Sequence, residues 1–199
     1  WNGGTGNWSN AGMWTGGLPN ANDADVQVDN GNAANSVVSV DGNFTAGRLT
    51  IDTGDMVGIN DNRTLTLTDA GGLGAIINNG TLAINTGGNV SSLSISGNVA
   101  LSGTGVTTLN GGATYILGSG RLTNSSTING QGNIGNNSLA FTNAAGGLMD
   151  ANVSGAILNL DPADVANAFL NQGTLRASGG GILQVNGRGA GGFHNTGGM

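Results

Sequence analysis

Five stretches of the chain follow one rule, the third with one extra Gly: an apolar residue, any residue, Asn, any residue, a small residue (Gly, Ser or Ala), Thr or Gly, then an apolar residue. They are IINNGTL at residues 76–82, LTNSSTI at 122–128, FTNAAGGL at 141–148, FLNQGTL at 169–175 and FHNTGGM at 193–199. The last four begin at Leu122, Phe141, Phe169 and Phe193, so they recur after 19, 28 and 24 residues. A period near twenty that varies by insertion suits one turn of a solenoid, whose coils stack while their loops differ in length. Asn tolerates left-handed backbone and bonds locally, so it can turn the corner between two faces of a coil. Equivalent Asn side chains on successive coils can also bond to one another along the axis. Asn78, Asn124, Asn143, Asn171 and Asn195 are the candidates for such a corner ladder.

Between the corners lie short segments of alternating polarity: DVQVD, SVVSVD, RLTID, RTLTLTD, GTLAIN, SLSIS, ATYIL, SLAFTN, AILNLD and ILQVNG. Each has period two and is bounded by Gly, Asn, Asp or Ser, the pattern of a half-buried strand with turn punctuation. Composition agrees. The 199 residues include 40 Gly and 29 Asn but no Lys, Glu or Cys, a poor supply for helix interiors. Hydrophobic residues at 37% and regularly placed Val, Ile and Leu provide the core that a disordered chain lacks. The expected fold is all-β: a parallel β-helix (β-solenoid) with irregular coils of about 19–28 residues. One interruption, DPADVANAF at 161–169, is predicted as a short helical excursion, with Asp161 as N-cap and Pro162 in the first turn.

All three tryptophans, Trp1, Trp8 and Trp14, fall in the first fourteen residues. A solenoid has raw ends that need covering, and large rings can cover an apolar axis. Residues 1–24 are therefore expected to cap a single solenoid domain spanning 25–199. The same rings are also candidates for a glycan platform or a subunit contact. Phe193, His194 and Met199 belong to a repeat that starts at the chain's end, so they are expected to form an open coil on which a second copy could stack head to tail. A chain that begins at Trp1 reads as a processed or excised piece.

The opening WNGGTGNWSNAGMWTGGLPNANDADVQVDNG and the segment LTNSSTINGQGNIGNNSLAFTNAAGGLMDANVSG resemble the repeats of bacterial cell-surface, autotransporter-like exoproteins. The resemblance implies a parallel β-helix on an exported surface protein, extracellular or at the cell surface of a bacterium. It brings no catalytic residues to carry over.

Little in the sequence points to chemistry. Asp52 with Asp55, Asp23 with Asp25 and Asp29, and Asp161 with Asp164 are the only acid groupings, and Asp at strand ends is ordinary turn chemistry. A polysaccharide-cleaving site would want several carboxylates with a basic group nearby. His194 is the single histidine, which argues against a Ser–His–Asp triad or a His-rich metal site. Arg48, Arg63, Arg121, Arg176 and Arg188 are scattered near strand starts, where lone cations discourage wrong edge pairing, and a net charge of −6 speaks against nucleic acid. No apolar run reaches the roughly 20 residues of a membrane helix. Thr64, Thr66 and Thr68 share one strand face, but one row does not make an ice-binding surface. The sequence thus predicts no catalytic, cofactor or metal residues and no cofactor. It predicts an extracellular structural protein that self-assembles into a filament or forms an adhesin stalk, the alternative being a module that binds surface polysaccharide.

Overall fold

The computed structural model describes every residue except 29, 30, 32, 33, 73 and 188–191, so Asp29 and Arg188 lie outside the described residues. The chain winds into a parallel β-solenoid. Its strands are β1 (Thr5–Asn7), β2 (Asp25–Val28), β3 (Val37–Val40), β4 (Phe44–Ala46), β5 (Arg48–Ile51), β6 (Met56–Ile59), β7 (Thr64–Thr68), β8 (Ala75–Asn78), β9 (Thr81–Asn85), β10 (Ser91–Ser96) and β11 (Asn98–Ser102). They continue as β12 (Val106–Gly118), β13 (Arg121–Asn124), β14 (Thr127–Ile134), β15 (Ala140–Asn143), β16 (Leu148–Ala151), β17 (Ile157–Leu160), β18 (Phe169–Asn171), β19 (Thr174–Ala177), β20 (Ile182–Val185) and β21 (Phe193–Asn195).

Three columns of parallel strands make the faces. The first runs β1-β3-β6-β9-β12-β14-β16-β19. The second runs β4-β7-β10-β12-β14-β17-β20. The third is β2-β5-β8-β11-β13-β15-β18-β21. The long strands β12 and β14 cross the corner between the first two columns, which joins those columns into one sheet. On the first column, Val37, Met56, Thr81, Val106, Thr127, Leu148 and Thr174 lie in one register line, giving coils of 19 to 26 residues. The first turn is longer because it carries the cap: Thr5 pairs with Val37.

Inward positions are Val, Leu, Ile and Phe, and they form one continuous core from Trp1 to Phe169. Alternation along each strand places these side chains on the axis and the intervening Ser, Thr and Asn outside. On the third column Leu122, Phe141, Phe169 and Phe193 are register partners, so the 19-, 28- and 24-residue spacings are the lengths of successive coils there.

The segment at 161–168 is an excursion but not a helix. It contains bends and one turn, with Asn167 left-handed at φ 57°. The Ala163 N–H donates to the Leu139 carbonyl of the neighbouring coil at 3.1 Å, and the Ala168 N–H closes a turn onto Val165 at 3.2 Å. Pro162, Ala163 and Ala168 are buried, so both ends of the loop are fastened to the solenoid. The few residues left between are too short to repay helix nucleation. The helical segments among the described residues are single 3₁₀ turns at Ala11–Met13 and Ala70–Gly72.

Candidate functional site

The tryptophans pack on one another at the first coil. Trp1 meets Trp14 edge-on at 4.8 Å between ring centroids, Trp8 meets Trp14 at 4.9 Å, and Trp8 stacks on Phe44 at 5.8 Å. Their exposures are 7%, 0% and 7%: Trp8 is fully enclosed, while Trp1 and Trp14 line a depression of about 460 Å³ together with Leu18, Pro19 and Val26. Each indole N–H has a carbonyl partner: Trp1 to Gly4 at 3.1 Å, Trp8 to Pro19 at 2.9 Å and Trp14 to Trp8 at 2.8 Å. Ser9 ties this layer to the next coil, its amide and hydroxyl both donating to Asp41. Partial burial works against the Asp41 carboxylate, but the Ser9 bonds outweigh it and hold the group below its ordinary pKa.

The corner ladder forms over four of the five candidate asparagines. Asn124 Nδ2 donates to Asn143 Oδ1 at 2.9 Å, Asn143 Nδ2 to Asn171 Oδ1 at 2.8 Å, and Asn171 Nδ2 to Asn195 Oδ1 at 2.9 Å. Beside it runs an aromatic column, with Phe141 and Phe169 at 4.3 Å and Phe169 and Phe193 at 4.9 Å. Asn78 stands apart. The coil between it and Asn124 carries Leu101 in the register line of Asn124, and Asn78 itself pairs with Ile51. Its Oδ1 accepts from the Gly80 amide at 3.1 Å, while its buried Nδ2 has no partner.

Phe193, His194 and Asn195 form β21, the last strand of the third column, and all three are exposed. Met199 extends the path onto the first column: its N–H donates to Gly173 and its carbonyl accepts from Leu175, at 2.9 and 2.8 Å. The ladder, the phenylalanine stack and these backbone bonds all reach this final level, where Phe193 is 39% and Met199 85% exposed.

Several of the acids and arginines tie one coil to the next. Asp52 accepts from the Gly31 amide, and Asp55 from the Ser36 amide at 2.7 Å. Arg48 pairs with Asp25 at 3.1 Å, and Arg121 donates to the Asn167 carbonyl at 2.9 Å, fastening the excursion. Arg176 binds Asp150 at 2.7 Å, and the Ser178 hydroxyl donates to the same oxygen at 2.9 Å. These cations are thus anchors between coils rather than lone guards of strand edges. The Arg176 bond, reinforced by Ser178 and by the arginine's charge, holds the buried Asp150 carboxyl below its usual range. Asp61 is held low chiefly by the Asn89 side chain and the Gly87 amide. Thr64, Thr66 and Thr68 lie beside Ser92, Ser94 and Ser96, with Thr45 beyond Thr66.

A feature that the sequence reading missed lies on the outside of the second column. Asn133 Nδ2 donates to the Gly112 carbonyl at 3.0 Å, Asn159 Nδ2 to Asn133 Oδ1 at 3.4 Å, and Asn186 Nδ2 to Asn159 Oδ1 at 2.8 Å. No repeat motif marks these residues: Asn133 and Asn159 are register partners, whereas Asn186 reaches Asn159 diagonally, two positions beyond that residue's own register partner Gln184. Among the described residues no group of three or more His, Cys, Asp or Glu is placed to hold a metal ion, and no helix is long and apolar enough to cross a membrane. Neither a known protein family, nor a curated protein, nor a solved structure matches this chain.

Proposed function

We propose that this chain is a structural component of a bacterial cell surface: an extracellular solenoid rod whose rungs continue end to end, as a self-assembling filament or as an adhesin stalk. The observation that carries the reading is the parallel pairing of successive coils along all three columns, with ladder, aromatic column and backbone bonds all running into the last level. A further rung, from more chain or from another copy, would find a template of strand edges and exposed Phe193 and Met199. Low charge favours close contact, since five Arg and eleven Asp in 199 residues offer little repulsion. The resemblance of the Trp-rich opening and the Asn-Gly-Thr repeats to autotransporter-like exoproteins supports the surface location. The role requires no catalysis and no cofactor.

Electron microscopy and sedimentation of the purified chain over a concentration series test the assembly. Regular fibres that disappear in Phe193→Asp are expected; monodisperse monomers at every concentration would overturn self-assembly. Cleavage of a polysaccharide by the purified protein would contradict a purely structural role.

A further inference from the structure

The solenoid has a notch on its flank, made by unequal coil lengths. Strand β14 crosses the corner between the first and second columns with no insertion. Its neighbours do not. On one side, Asn110 pairs with Gln131 and Tyr115 with Asn133, so residues 111–114 stand opposite Gly132 alone. On the other, Ala151 pairs with Gly130 and Leu158 with Gly132, so residues 152–157 stand opposite Gln131 alone. These two insertions border β14 on its two sides, beside a depression of about 360 Å³ lined by Gly112, Gln131, Asn133, Ile157, Asn159 and Gln184.

None of these residues carries a charge. The Asn133–Asn159–Asn186 row, joined by Gln184 Nε2 to Asn186 Oδ1 at 3.1 Å, fixes the amides in place. Every amide in the row still has a second N–H and a second lone pair to offer. The Gln131 amide bonds to none of the described residues. Ile157, 44% exposed, adds an apolar patch beside them.

We propose that this notch binds a segment of uncharged polysaccharide. Hydroxyl groups both donate and accept, which matches carboxamides that present one of each. An ionic ligand would enter without a counter-charge, so acidic glycans and nucleic acid are disfavoured. The Ile157 side chain suits the C–H face of a pyranose ring. Rungs repeat at about 4.8 Å, close to the length of one sugar unit in an extended chain, so successive sugars meet successive amides. A polypeptide adding itself as a strand needs a free sheet edge. Strand β14 is already paired on both sides, by β12 and by β16 with β17. The proposal rests on the coil insertions and not on the rod reading.

The test is an NMR titration of the whole chain with cellohexaose, xylohexaose and mannohexaose, set against hexagalacturonate and a Gly/Ser/Asn hexapeptide. A Cβ at position 112 meets nothing within 4 Å, so Gly112→Leu has room to project an aliphatic side chain into the notch from its edge. At least one neutral hexasaccharide should bind and shift the side-chain amides of Gln131, Asn133, Asn159 and Gln184. Gly112→Leu should weaken that binding about ten-fold or more and Gln131→Ala several-fold, with unchanged thermal melting and unchanged fibre formation. No neutral hexasaccharide bound at about 1 mM would overturn the proposal. So would equal binding of hexagalacturonate or of the peptide, or an affinity unmoved by Gly112→Leu.

Discussion

At the scale of single residues, the two kinds of corner asparagine should behave differently. Asn143 accepts from Asn124 and donates to Asn171 and to the Gly147 and Thr174 carbonyls. Removing its amide strands a buried donor on Asn124 and a buried acceptor on Asn171, each costing about 1–3 kcal/mol. Asn78 makes one bond to the Gly80 amide and already carries an unpaired Nδ2, so its loss removes a defect together with a bond. Asn143→Ala should therefore destabilise by about 2–4 kcal/mol and Asn78→Ala by about 1 kcal/mol or less, read from denaturant midpoints at constant slope. Asp150 sets the acid response. Its pKa is lower in the fold than in the unfolded chain, so the folded state binds fewer protons. Its stabilisation is complete above the unfolded aspartate value of about 3.9 and is lost as pH falls below that through the depressed folded value. Asp61 and Asp41 add in the same direction. In an acid titration followed by circular dichroism, Asp150→Asn should be less stable at neutral pH and lose less of its remaining stability on acidification.

At the scale of the element, the corner leaving the third column is set by how closely rungs approach. A Cβ on Gly105 would overlap the backbone nitrogen and carbonyl oxygen of Gly80 on the neighbouring coil, and one on Gly173 would strike the Gly147 and Ala144 carbonyls. Gly105→Ala should cost about 1–3 kcal/mol or more in thermal or denaturant unfolding, because backbone cannot step aside. Gly112→Ala, which meets open space, should stay within about 0.5 kcal/mol of the parent chain. The strands and the coil period were readable because each corner repeats the same local chemistry: Leu122, Phe141, Phe169 and Phe193 begin motifs and prove to be stacked partners. Asn78 misled the reading, since its motif is followed by a coil, 101–105, that turns without asparagine. The excursion at 161–168 carried helix-start signals, yet Pro162 and Ala163 are buried and the Ala163 amide is bonded to the adjacent coil. Local propensity lost there to tertiary anchoring. The notch was invisible because it arises from differences between coils, which no single stretch of sequence contains.

At the scale of the whole molecule, each rung touches mainly the rung above and the rung below, so stability is close to a sum of neighbour terms along the continuous core. The three tryptophans all sit in the terminal layer, which makes their fluorescence a reporter of that end alone. Trp8→Ala removes a fully buried ring that contacts Trp14 and Phe44 and should cost about 3–5 kcal/mol locally. In that variant the fluorescence transition should precede the loss of β-sheet signal by circular dichroism, where a single cooperative unit would give coincident curves. The hydrogen bonds between rungs also point along the axis, so a pull on the two chain ends loads them one level at a time. Coils of 19 to 26 residues, each extending by roughly 3.5 Å per residue, should then release slack in separate steps of about 65–90 Å in an optical trap. Such a rod yields gradually under tension, shedding coils singly from an end, and dissipates a tug instead of snapping.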